Sequence, residues 1–91
     1  SQIFALLAKY KIKISLMQNS AISLALCLED KYKSIDDLNK ELQPIFDTEM
    51  VKNVSLFTVR NANLEDINKF YENKNILLEQ ISKKTIQVVT N

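Results

Sequence analysis

The feature that most constrains this chain is a repetition of its own pattern at one constant offset. Ile14/Ile76, Leu16/Leu78, Gln18/Gln80, Ser20/Ser82, Ser23/Thr85, Leu24/Ile86 and Leu26/Val88 pair in register. Each of the two stretches reads as a β-hairpin, and each follows an amphipathic helix. The first helix carries Ile3, Phe4, Leu6, Leu7 and Tyr10 along a face of residues 2–11. The second starts at an Asn63 cap and carries Leu64, Ile67, Phe70 and Tyr71. One helix–hairpin unit therefore occurs twice. A chain built from such units is expected to be α+β, with antiparallel strands and helices on one face of the sheet, a ferredoxin-like layer.

The segments between and within the copies follow from the same periodicities. Ile12, Ile14 and Leu16 alternate with Lys13 and Ser15, which predicts a strand with those three apolar residues on one face. A polar turn is expected at Gln18-Asn19-Ser20. The next strand sets Ile22, Leu24, Leu26 and Leu28 against the small Ala21, Ser23, Ala25 and Cys27. Ser34 with Asp37 resembles a capping box opening a helix with the stripe Ile35, Leu38, Leu42 and Ile45, and Pro44 should end or kink it. Residues 48–60 read as two short strands broken at Lys52-Asn53. The end reads as a hairpin, 76–81 and 85–90, around Ser82-Lys83-Lys84. Each copy is short of strands, so the copies are expected to complete one another or a partner chain. The expected division is 1–52 and 53–91.

Composition narrows the chemistry. Among 91 residues there is no Gly, which removes the phosphate loop, the dinucleotide fingerprint and the nucleophile elbow. There is no His, the usual general base and metal ligand. The single Cys27 can form neither an internal disulfide nor a multi-thiolate zinc site, so a reducing, cytoplasmic setting is expected. No apolar run approaches a membrane span and no signal peptide opens the chain, so no membrane association is expected. The chain begins without Met inside an amphipathic pattern, which reads as a piece of something longer. The formal net charge of +1 and the scarcity of strand aromatics, Phe57 alone, argue against a nucleic-acid surface.

The carboxylate pairs Glu29/Asp30, Asp36/Asp37 and Glu65/Asp66 fall at strand ends or in first helical turns, where they complement a helix dipole or solvate a turn. Arg60-Asn61 resembles the anion-binding pair of a small acyl-phosphate hydrolase, without a Gly-rich cradle. The turn Gln18-Asn19-Ser20 offers amide and hydroxyl groups without formal charge. Such a corner can serve both the ammonium and the carboxylate of a small zwitterion, or it can bond only to itself.

Residues 4–26, Phe4-Ala5-Leu6-Leu7-Ala8-Lys9-Tyr10-Lys11-Ile12-Lys13-Ile14-Ser15-Leu16-Met17-Gln18-Asn19-Ser20-Ala21-Ile22-Ser23-Leu24-Ala25-Leu26, resemble the first ACT domain of aspartate kinases. In that family a helix leads into a strand of the type I-x-V/I-D/N-L/M-I/M. A T-S-E or Q-N-S turn and an alternating V-S-V-A-L strand follow. Residues 54–90 are similar to the second ACT domain, although Ser82-Lys83-Lys84 replaces the family's G-A-S-S.

The resemblance implies a truncated pair of ferredoxin-like βαββαβ ACT units, the first lacking its first strand. Such a pair is the regulatory end of an enzyme that phosphorylates L-aspartate with ATP in lysine, threonine and methionine biosynthesis. No catalytic residue is expected in this chain, and no cofactor either; ATP and Mg would belong to a separate catalytic domain. Carried over by position, the effector contacts are Lys13, Ile14, Ser15, Asn19, Ser20 and Ala21. The implied partners are an amino-acid effector, threonine or lysine, and a second copy in a homodimer formed through the ACT sheets. Ser15 and Ala21 stand where family members often carry acids. A lysine ammonium taken out of water needs a negative partner, so threonine or no effector fits better. The alternative is an ACT-like dimerisation module that binds no ligand.

Overall fold

The computed structural model describes residues 2–91, and for Leu64 the backbone alone, so that member of the third helical stripe lies outside the described side chains. The elements run α1 (Gln2–Lys9), β1 (Lys13–Asn19), β2 (Leu24–Glu29), α2 (Ile35–Leu42), β3 (Ser55–Val59), α3 (Leu64–Tyr71), β4 (Ile76–Ser82) and β5 (Thr85–Thr90). The chain divides into two compact units, Ser1–Met50 and Val51–Asn91. β1 and β2 form a two-stranded antiparallel sheet, and β3, β5 and β4 form a three-stranded one in that order. The two hairpins thus lie in separate sheets, and neither lends the other a strand.

In the first unit, α1 and α2 cover one face of the β1–β2 hairpin. Leu7, Ile12 and Leu38 form its buried centre, with Ile3, Leu6, Tyr10, Ile14, Leu26, Leu28, Ile35 and Leu42 packed around them. α1 ends in a tight reversal. Lys11 takes a left-handed φ of 55°. The Lys11 N–H then donates to Ala8 O at 3.1 Å and the Ile12 N–H to Leu7 O at 2.9 Å. Both bonds satisfy carbonyls that the helix end would leave unpaired, and Ile12 is swung onto Leu7. α2 stops at Leu42, two residues before Pro44, so Ile45 falls outside the helix.

The cap of α2 differs from the expected Ser34–Asp37 box. Ser34 makes no side-chain cap bond. Instead the Asp30 carboxylate accepts from the Ser34 N–H at 2.8 Å and from the Ile35 N–H at 2.9 Å. One acidic side chain at the end of β2 satisfies two helix-entry donors and sets its charge on the positive end of the helix. Asp30→Ala should cost about 1–2 kcal/mol in urea unfolding, whereas Asp36→Ala should cost less than half of that. Equal losses in the two variants would refute the cap.

In the second unit β3 and β4 both run antiparallel to β5, which lies between them, so β3 and β4 are parallel and joined through α3. This is a split β-α-β arrangement, the building block of ferredoxin-like sheets. α3 starts as expected, with Asn63 Oδ1 accepting the Asp66 N–H at 2.9 Å. Phe70 packs edge-on against Phe57, with ring centroids 5.6 Å apart, which places the strand aromatic on the helix-covered face. Val88 in β5 is fully buried, at 0% exposure. Residues 48–54 hold no strand, so the expected strand pair reduces to β3 alone. Asn53 takes a φ of 59° and breaks the extended run there.

The repetition extends to backbone detail. The offset that relates Ile14 to Ile76 also relates both ends of α1 to those of α3, and the left-handed Lys11 to Asn73. β1 pairs with β2 and β4 with β5 in the same shifted register. Each ladder slips at one place, between Ile14 and Leu16 and between Ile76 and Leu78. The extra residues, Ser15 and Leu77, stand at that offset too. With no Gly in the chain, six of the described residues adopt left-handed φ, three Asn and three Lys. Asn tolerates that region best, because its short side chain bonds locally.

Candidate functional site

The bulge at Ser15 rearranges the first hairpin. Ile14 stands opposite Leu28, and both pack into the helix-covered core. Leu16 stands opposite Cys27, whose neighbour Leu28 faces the other way. Leu16 therefore leaves the face expected from simple alternation and joins Cys27 on the helix-distal face. There the two are 5% and 8% exposed. Burial of Cys27 pushes its thiol pKa up. Gln18, Ser20, Ser23 and Ala25 share that face by alternation.

The turn itself sits two residues later than expected. Gln18 and Asn19 belong to β1, opposite Ala25 and Leu24. The Ser20 N–H donates to Ser23 O at 2.9 Å and closes the hairpin around Ala21 and Ile22. The Ser23 N–H donates to Ser20 Oγ at 3.1 Å, and the two hydroxyls lie 2.7 Å apart. Ile22, expected on the apolar face of the second strand, is 97% exposed at the tip.

These positions separate the six expected effector contacts into two groups. Lys13, Ile14 and Ser15 lie at the start of β1. Asn19, Ser20 and Ala21 lie at its far end and in the turn. At about 3.3 Å per residue, Ser15 and Asn19 are roughly 13 Å apart along the strand. Ile14 is held in the core, Ser15 is half-buried at the bulge, and Lys13, Asn19, Ser20 and Ala21 are exposed. The exposed amide of Asn19 and the Ser20–Ser23 hydroxyl pair form one polar corner.

A second cluster on the first unit has no signal in sequence order, because its members come from the end of α1, the residue just past it and α2, far apart along the chain. Lys9 Nζ lies 2.9 Å from Glu41 Oε2, and the Tyr10 hydroxyl donates to the same oxygen. The Tyr10 and Lys9 bonds hold the Glu41 carboxyl below its usual range, and the Glu41 bond raises both Lys9 and Tyr10. The contact ties α1 to α2. Glu41 also borders an open groove of about 290 Å³ with Gln2, Ala5, Leu6 and Ile45, and none of the expected effector residues lines it.

In the second unit the polar groups do structural work. Tyr71 Oη is shielded from solvent. Burial, reinforced by the neighbouring Glu79 carboxylate, pushes its pKa up to about 12. Lys74 Nζ sits 4.3 Å from the centre of the Phe70 ring. Arg60 is exposed, and the adjoining Asn61 takes a φ of 54° in the connection from β3 to α3. Asn61 there serves the turn.

Among the described residues no three Cys, Asp or Glu side chains gather as a metal site, and no helix is long and apolar enough to cross a membrane. The class defined is α+β, with three helices and two small antiparallel sheets among the described residues. Comparison with protein-family models, with curated proteins and with solved structures finds no match.

Proposed function

We propose that the chain is the regulatory, amino-acid-sensing region of an aspartate kinase, a pair of ACT units in truncated form. The observation that carries this reading is the repeated helix–bulged-hairpin unit, together with the resemblance of residues 4–26 to the family's first ACT domain. The first hairpin presents an uncharged corner, Asn19 with the Ser20–Ser23 hydroxyl pair, to solvent. Its donors and acceptors suit a zwitterion with a hydroxyl side chain, so threonine is the favoured effector and lysine the second choice. No chemistry is assigned to this chain. Its role is to shift the conformation of a parent enzyme, for which a coupling of about 1–3 kcal/mol is sufficient.

Calorimetric titration of the chain with threonine, lysine and methionine tests the reading. Heat is expected for threonine. Asn19→Ala should weaken that binding at least tenfold, the loss of about 1.4 kcal/mol expected for a hydrogen bond to a charged group. In the parent enzyme the same variant should relax feedback inhibition and leave uninhibited turnover unchanged. The Ser20 and Ser23 hydroxyls bond each other, which favours a second reading, a dimerisation module that binds no small molecule. Absence of heat with all three amino acids at millimolar concentration would select it.

A further inference from the structure

We propose that the outer edge of β2 is a strand-acceptor site. Its occupant is an extended strand with the alternation of β3, running antiparallel to β2 alongside Leu24–Leu28. The inference rests on the repeated unit and not on effector binding. β5, the counterpart of β2 in the second copy, is flanked on both sides, by β4 and by β3. β2 has β1 on one side and, among the described residues, no strand on the other.

The internal copy also supplies orientation and register. In β3–β5, Ser55, Leu56, Phe57, Thr58 and Val59 face Thr90, Val89, Val88, Gln87 and Ile86. Those β5 positions are the repeat counterparts of Leu28, Cys27, Leu26, Ala25 and Leu24. An incoming strand in this register sets its third and fifth residues beside Leu26 and Leu24, as Phe57 and Val59 sit beside Val88 and Ile86. Its second residue lies beside Cys27. Apolar residues are required at those three places.

The edge itself is suited to pairing. Sheet edges are commonly protected by charge, by Pro or by a bulge. The bulges of this chain fall on β1 and β4, at Ser15 and Leu77. β2 has none of these devices from Leu24 through Leu28, and it is uncharged until Glu29. Strand addition to such an edge takes its affinity from main-chain hydrogen bonds and its selectivity from alternate side chains.

The test is a graft onto the full chain. A second copy of Val54–Asn63 placed directly before Gln2 reproduces the spacing of β3 to α3. In hydrogen exchange, the alternate β2 amides that point away from β1 should slow about tenfold or more relative to the ungrafted chain. A graft with residues 54–59 scrambled should leave them fast, and a synthetic peptide of residues 54–60 should protect the same amides in proportion to its concentration. Equal exchange in the intact and scrambled grafts would overturn the proposal. So would an ungrafted chain already slow at those amides, whether at all concentrations, meaning the edge is already covered, or only at high concentration, meaning a second copy is the occupant. A threonine titration of the same samples reads effector binding separately, so either idea can fail alone.

Discussion

Leu38→Ala is expected to lower the unfolding free energy by about 3 kcal/mol, the middle of the range for emptying a leucine-sized space in a packed core. Leu38 is 2% exposed and belongs to the centre that joins α1, α2 and the β1–β2 hairpin. That centre consists of three buried residues with a shell of half-buried ones. A core so small has few neighbours able to move in and fill the gap. Small domains also have little stability to spare, so a loss of this size should leave a large unfolded fraction at about 37 °C. Urea titration followed by the amide resonances of β1 and β2 measures it. A loss below about 1 kcal/mol would mean that the helices are not held on the hairpin through Leu38.

Val88→Asp should be at least as damaging, with a cost of roughly 3–5 kcal/mol from an uncompensated charge placed in the interior. Val88 is fully buried in the central strand of the second sheet, between Phe57 on β3 and Glu79 on β4. Glu79, a like charge directly across the ladder, would add to the penalty. Thr58→Asp, on an exposed position of β3, is the matched control and should change stability by less than about 0.5 kcal/mol. Similar losses in the two variants would contradict the placement of β5 at the centre of the sheet.

Much of the local structure is legible in the residues. Apolar spacing locates three helices, and Asn63 announces the start of α3 as the structure shows it. The repetition is visible in seven paired positions. The backbone follows the same offset in its helices, left-handed caps and slipped ladders. Sequence misplaces the turn of the first hairpin because Gln18-Asn19-Ser20 is the most polar stretch, whereas the reversal is set by the bonds between Ser20 and Ser23. Asp30 reads as solvated because nothing in its immediate neighbours shows that the chain turns back to lay two helix N–H groups on its carboxylate.

The polar corner at Asn19 and Ser20 is legible as a group, but its distance from Lys13, Ile14 and Ser15 along β1 is not. The Lys9–Tyr10–Glu41 cluster leaves no trace in the sequence at all. Its parts lie at the end of α1, just past that end and on α2, and only packing brings the carboxylate of Glu41 beside Lys9 and Tyr10.

By itself, the order of amino acids determined where the helices lie, which strands make the two hairpins, and that one unit is used twice, because periodicity and capping act over a few neighbouring bonds. Tertiary structure decided that Leu16 turns away from Ile14, that β3 pairs with β5 across the returning chain, and that β2 keeps one side without a strand among the described residues. A bulge is one residue left out of a ladder, and a ladder exists only between strands. Which face a side chain takes, and which edge stays open, are therefore properties of the pairing.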